Sequence, residues 1–102
     1  MNIGIDIVDC ERVGGLVSNK VFNENELNYI RQKNNSLPTV AGLFAAKEAY
    51  FKALGTGIVK SELPKIEVGH QENGQPFYVN NSQAMLSISH TATTAVAVCI
   101  IF

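Results

Sequence analysis

The stretch from Leu43 to Ile58, LFAAKEAYFKALGTGI, constrains the fold of this chain more than any other. Pro38 suits a helical first turn, and the residues from Thr39 to Leu54 are rich in the strong helix formers Ala, Leu, Lys and Glu. Gly55 supplies a left-handed stop, after which Thr56-Gly57 lets the backbone turn or pass close to a ligand. Val40, Leu43, Phe44, Tyr50, Phe51 and Leu54 are spread around the circumference, which predicts a helix covered on most sides. Into this apolar helix are set Lys47, Glu48 and Lys52, the last two at i,i+4 on one face. Two readings follow. One is a core helix with a surface Glu–Lys pair; the other is a helix offering a carboxylate and two ammonium groups to an anionic ligand, with a metal ion between them.

The residues before it predict a strand over Asn2 to Val8, with Ile3, Ile5 and Ile7 on one face and Gly4, Asp6 and Val8 on the other. Asp6 is thus a carboxylate inside an apolar strand, which is costly unless it is paired, hydrogen-bonded or on a metal. Asp9 reads as an N-cap for a weak helix that Gly14-Gly15 interrupts. Arg12 is the one strong anion-binding candidate nearby, with a solvated helix arginine as its default role, and Lys20 reads as surface. Asn23 to Lys33 predicts a short helix with Asn23 and Glu26 as a capping box, and no chemistry is assigned to it.

Beyond Gly57 the pattern is of strands. Ile66, Val68 and His70 alternate with polar residues, Asn73-Gly74 is a hairpin turn, and Pro76 to Val79 returns. Ala84 to His90 and Thr94 to Phe102 form two more, the last rich in Val and Ile. One strand, then helices, then antiparallel strands imply an α+β fold, an antiparallel sheet with helices packed on one face. The final strand reads as an apolar edge that a second subunit would cover. His70 reads as a surface residue near its hairpin. His90, at a strand end followed by Thr91, is placed where loops hold ligands.

At 102 residues, 46% apolar and 17% charged, the chain suits one globular domain, 1–102, of a size where association helps. A net charge of -1 gives no general reason to expect nucleic acid or an anionic membrane as partner. Cys10 and Cys99 lack metal-knuckle spacing and read as reduced core residues. The N-terminus does not match a signal peptide and no stretch is long enough to span a bilayer, so the expected location is cytoplasmic.

Three separated stretches, GIDIVDCERV (4–13), FAAKEAYFKALGTGI (44–58) and SISHT (87–91), with an NGxP turn at Asn73 to Pro76, resemble holo-acyl-carrier-protein synthase, the small phosphopantetheinyl transferase family. The resemblance runs nearly the whole chain in order. It implies an enzyme of fatty acid and lipid metabolism that moves phosphopantetheine from coenzyme A to a serine of acyl carrier protein, releasing 3′,5′-ADP, with Mg²⁺. By the same resemblance Asp6 and Glu48 are Mg²⁺ ligands and, with Lys52, the catalytic residues. Lys52, Gly55, His90 and Thr91 are coenzyme A contacts, and Arg12 docks the carrier. Leu43 stands where relatives carry Arg, which makes Lys47 the candidate for the missing phosphate contact. Family members are trimers with active sites between subunits.

The residue types suit that chemistry. Displacement at a diphosphate needs position and charge neutralisation more than covalent work, and Mg²⁺ is satisfied by one or two carboxylates with water and phosphate oxygens. A water held by Glu48 or Asp6 is the preferred proton acceptor. Against the enzyme stand two other classes: a non-catalytic module binding coenzyme A or a nucleotide, and an oligomeric structural domain in which Asp6, Glu48 and Lys52 form a buried ion network.

Overall fold

The computed structural model describes residues 1–102. Strand β1 (Asn2–Asp9) leads through two short 3-10 turns, Cys10–Arg12 and Gly14–Leu16, to helix α1 (Glu24–Gln32) and the long helix α2 (Leu37–Leu54). A 3-10 segment, Lys60–Lys65, precedes the hairpin β2 (Val68–His70) and β3 (Pro76–Tyr78), and β4 (Ala84–His90) and β5 (Thr94–Ile101) complete the chain. The fold is α+β, with antiparallel strands in the order β1-β5-β4 and α2 laid across one face of that sheet.

Small residues set the distance between helix and sheet. Ala41, Ala45, Ala46, Ala49 and Ala53 of α2 are buried, as are Ala95, Ala97 and Cys99, every second residue of β5. Gly4 of β1 completes the contact: a Cβ there would lie 2.1 Å from the Ala49 carbonyl oxygen and 2.5 Å from the Ala53 nitrogen, both backbone atoms. Gly42, inside α2, costs helix propensity of about 1 kcal/mol but clears Ile88, whose Cγ2 lies 3.0 Å from where its Cβ would be. At the other end Gly55 caps α2 at φ 75°, its N–H donating to the Phe51 and Lys52 carbonyls.

The faces of β1 are assigned by this contact and not by hydrophobicity. Gly4 and Asp6 point inward, while Ile3, Ile5 and Ile7 are exposed at 67%, 60% and 69%. Their register partners on β5 are Ile100, Val98 and Val96, so the outer sheet face is an apolar surface that continues to Met85 on β4. The final strand is therefore not the sheet's edge, as its sequence suggested, but its centre. What remains uncovered is a face. Asp9 ends β1 and makes no capping bond, whereas the Asn23–Glu26 capping box of α1 forms in full. No helix is long and apolar enough to cross a membrane.

Candidate active site

Inward-facing Asp6 meets the C-terminal half of α2. Its Oδ1 accepts from Lys52 Nζ at 3.0 Å, and its side chain is 7% exposed against 50% for that of Lys52. Asp6 Oδ2 is buried with no partner, the one such side-chain atom in the chain. Glu48, one turn before Lys52, is half-buried and its carboxyl is pushed up to about 7, first by desolvation and then by the charge of Asp6, with Lys52 opposing. Two carboxylates and one ammonium thus converge from two elements 42 positions apart in sequence, counting from Asp6 to Glu48.

A buried carboxylate oxygen without a donor, beside a second carboxyl held partly protonated by its neighbour, is an electrostatic deficit that a divalent cation removes. Asp6 and Glu48 fit Mg²⁺ in donor type and number, because that ion keeps several waters and substrate oxygens in its shell. No third His, Cys, Asp or Glu joins them. A closed structural metal site would need more ligands; an ion shared with a phosphate would not.

A groove of about 700 Å³ opens onto Glu48, walled by Leu16, Phe44, Ile58 and Leu63, with Lys20 and Lys60 at its rim. Lys20, read from the sequence as surface, and Lys60, not singled out there, thus line the same groove as Glu48. The residues of this groove come from three separate stretches, and only Phe44, Glu48 and Ile58 lie inside a motif.

His90 and Thr91 lie elsewhere. His90 is exposed at the end of β4, and β5 separates that strand from β1. It borders a cavity of about 210 Å³ shared with Tyr29, Leu43, His70, Pro76 and Ile88. His70 is not the free surface residue expected: its ring stacks on Tyr29 at 3.9 Å, and burial and nearby Lys33 lower its pKa. Nothing in the sequence announces that stack. Thr91 Oγ1 accepts from the Thr93 and Thr94 backbone N–H groups and so shapes the β4–β5 turn. Leu43 and Lys52 are nine residues apart on α2, roughly 14 Å along a helix axis. One chain therefore carries an acidic cluster and a histidine-lined cavity that it does not join.

Lys47 requires a correction. It is fully buried, and its ammonium donates to Glu26 Oε1 at 2.7 Å and to the Leu63 and Ile66 carbonyls at 2.8 Å each. With all three protons committed and no exposure, it cannot contact a phosphate. Glu26 accepts in turn from the Val68 and Asn23 N–H groups. Arg12, by contrast, is exposed at the end of its 3-10 turn. Gly55 is open, with nothing within 4 Å of a notional Cβ.

Comparison with known proteins identifies the class. Residues 2–99 match the model of the 4′-phosphopantetheinyl transferase superfamily. A holo-[acyl-carrier-protein] synthase of Alkaliphilus oremlandii is 39% identical, over 93% of each chain. Among solved structures, the holo-(acyl-carrier-protein) synthase of Bacillus anthracis str. Ames in complex with CoA (3′,5′-ADP) superposes with a TM-score of 0.86 at 38% identity, covering 98% of this chain and 94% of its own. The Helicobacter pylori holo-[acyl-carrier-protein] synthase in complex with coenzyme A gives 0.80 at 30% identity, over 98% and 99%. The chain belongs to the holo-acyl-carrier-protein synthases, and it is a phosphopantetheinyl transferase.

Proposed function

We propose that this chain transfers the phosphopantetheine moiety of coenzyme A to a serine of apo acyl carrier protein, releasing 3′,5′-ADP, in a Mg²⁺-dependent reaction. The observation that carries this reading is the convergence of Asp6, Glu48 and Lys52, with one buried carboxylate oxygen free at their centre. Coenzyme A in the complexes of two relatives agrees with it. Mg²⁺, held by Asp6 and Glu48, supplies charge neutralisation at the diphosphate. Lys52 is tethered to the cluster by Asp6 yet half exposed, so it reaches a phosphate oxygen and stabilises the charge building on the leaving 3′,5′-ADP. Gly55 leaves the end of α2 free of side-chain bulk for the phosphates to pass. The serine hydroxyl attacks the phosphorus nearest the pantetheine, and its proton leaves through a water held by Glu48 or Asp6.

The groove beside Glu48 receives the carrier. Its apolar wall suits a helix face, and Lys20 and Lys60, together with exposed Arg12, suit an acidic partner. Because His90 and Thr91 lie on the far side of β5 from Asp6, they complete the coenzyme A site of a neighbouring copy. The exposed Ile3, Ile5 and Ile7 face provides the surface for such a homotrimer, at about 1.5–3 kcal/mol per isoleucine fully buried. The assembly works in the cytoplasm.

Incubation with coenzyme A, Mg²⁺ and an apo carrier, followed by mass measurement, should show one phosphopantetheine added to the carrier. The increment should vanish with chelator and with Glu48→Ala. An unchanged carrier, with coenzyme A still bound, would leave only a binding module. Arg12→Ala should raise KM for the carrier several-fold more than KM for coenzyme A; equal changes would remove its docking role. Ile5→Glu, a charge in the centre of the apolar face, should yield a folded monomer in sedimentation that no longer binds coenzyme A, and a trimer that persists would place the interface elsewhere.

A further inference from the structure

The Lys47–Glu26 pair lies outside the reacting cluster, but what it holds bears on it. Lys47 immediately precedes Glu48 on α2 and is turned into the core. Two of its three hydrogen bonds go to the carbonyls of Leu63 and Ile66, at the end of the 3-10 segment Lys60–Lys65. That segment forms one wall of the groove onto which Glu48 opens, through Lys60, Ser61, Leu63 and Pro64. Pro64 lies inside the segment and has no N–H to donate, so its backbone cannot organise itself fully. The third bond goes to Glu26, whose other oxygen accepts from Val68 N–H at 2.8 Å, at the first residue of β2. The pair thus ties down the C-terminal end of the groove wall, Leu63 and Ile66 through the lysine and the following Val68 through the glutamate.

A buried ion pair is a poor way to gain stability, since apolar side chains of the same volume do as well or better. What it supplies here is a fixed position. Two carbonyls of an irregular segment are held to one point on α2, a single residue from Glu48, and the strand start that follows is held to the same pair through α1. We infer that Lys47 and Glu26 are positioning residues, which set the wall formed by residues 60–66 at the distance from Glu48 that the incoming carrier requires. The inference rests on the groove being the carrier's approach, and it adds that the approach is held by a fully buried charge pair. Neither residue touches substrate.

The test replaces both charges by uncharged groups of similar size, Glu26→Gln with Lys47→Met, because Lys47→Met alone leaves Glu26 buried without its cation and destabilises the whole fold. Hydrogen exchange of the free protein should show lost protection over residues 60–68, while α2 and β5 keep theirs. In the transfer assay KM for apo carrier should rise about tenfold, the scale of a reacting group displaced by a fraction of an ångström, with KM for coenzyme A unchanged. Protection over 60–68 equal to that of the unaltered protein would overturn the inference, as would equal rises in both KM values. The exchange measurement needs no substrate. If the unaltered protein transfers nothing to any carrier, the proposed function fails while the clamp is still judged by exchange.

Discussion

The chain contains two lysine–carboxylate pairs on the same helix, one turn and a residue apart, and they are built to opposite ends. Lys47 and Glu26 are both fully buried, and the ammonium and carboxylate together make five hydrogen bonds: three given by lysine, one of them to Glu26, and two accepted by the acid from backbone N–H groups. Lys52 and Asp6 share a single bond of 3.0 Å, the lysine half exposed and the acid left with an unpartnered oxygen. The closed pair has nothing left to offer a ligand. The open pair is under-satisfied, and Glu48 beside it is pushed towards its neutral form. The difference teaches that unmet hydrogen-bonding capacity, more than the presence of charge, marks the site on this helix.

Matched substitutions break the comparison most directly. Lys47→Met should cost about 3–5 kcal/mol of stability, because it strands the Glu26 carboxylate in the core. Lys52→Met should cost less, about 1–3 kcal/mol, since its ammonium is half in water although Asp6 loses its one partner, yet lower kcat/KM for transfer by about 100-fold or more. Urea unfolding and the carrier mass assay measure the two effects on the same samples. If Lys47→Met lost activity at unchanged stability, or Lys52→Met unfolded the protein, the assignment of closed and open pairs would be reversed.

Sequence reading reached the open pair and missed the closed one for identifiable reasons. An Asp alternating with isoleucines is visible as a group that must be paired, and Glu48 and Lys52 share a helix face at i,i+4; local rules suffice for both. Lys47 reads as a phosphate contact only because Leu43 stands where relatives carry Arg, yet residues four before and four after it, Leu43 and Phe51, are both buried, and that spacing is the available sign of its inward direction. Glu26 reads as a capping-box residue and accepts the Asn23 N–H as such, and the same carboxylate also serves Lys47, a contact across 21 residues that no local pattern encodes. The strands, hairpin turn and both helices were legible from period and turn chemistry. The inner face of β1 was not, since three alternating isoleucines look like core; only the backbone approach at Gly4 shows that they face outward. The central place of β5 likewise depends on pairing between the two ends of the chain.

The smallest expected effect sharpens the open side of the comparison through pH. Glu48 has a folded pKa of about 7 against 4.5 for the unfolded chain, so between those values the folded state holds a proton that the unfolded state has released. Its contribution to stability is therefore fully present below about pH 4.5 and is lost as pH rises through 7. In chelator, the melting temperature of the protein relative to its Glu48→Gln variant should fall between pH 5 and 8. Asp6→Asn should shrink that fall, because the Asp6 charge is the second cause of the raised pKa. Saturating Mg²⁺ should reverse the slope: an ion that binds only the folded protein, through ionised Asp6 and Glu48, stabilises more as protons leave the site. The Lys47–Glu26 pair should add nothing to the metal-dependent difference, because it is sealed from the ion. A Mg²⁺ effect independent of pH, or one that survives Asp6→Asn at full size, would mean that the free oxygen of Asp6 is not where the ion binds.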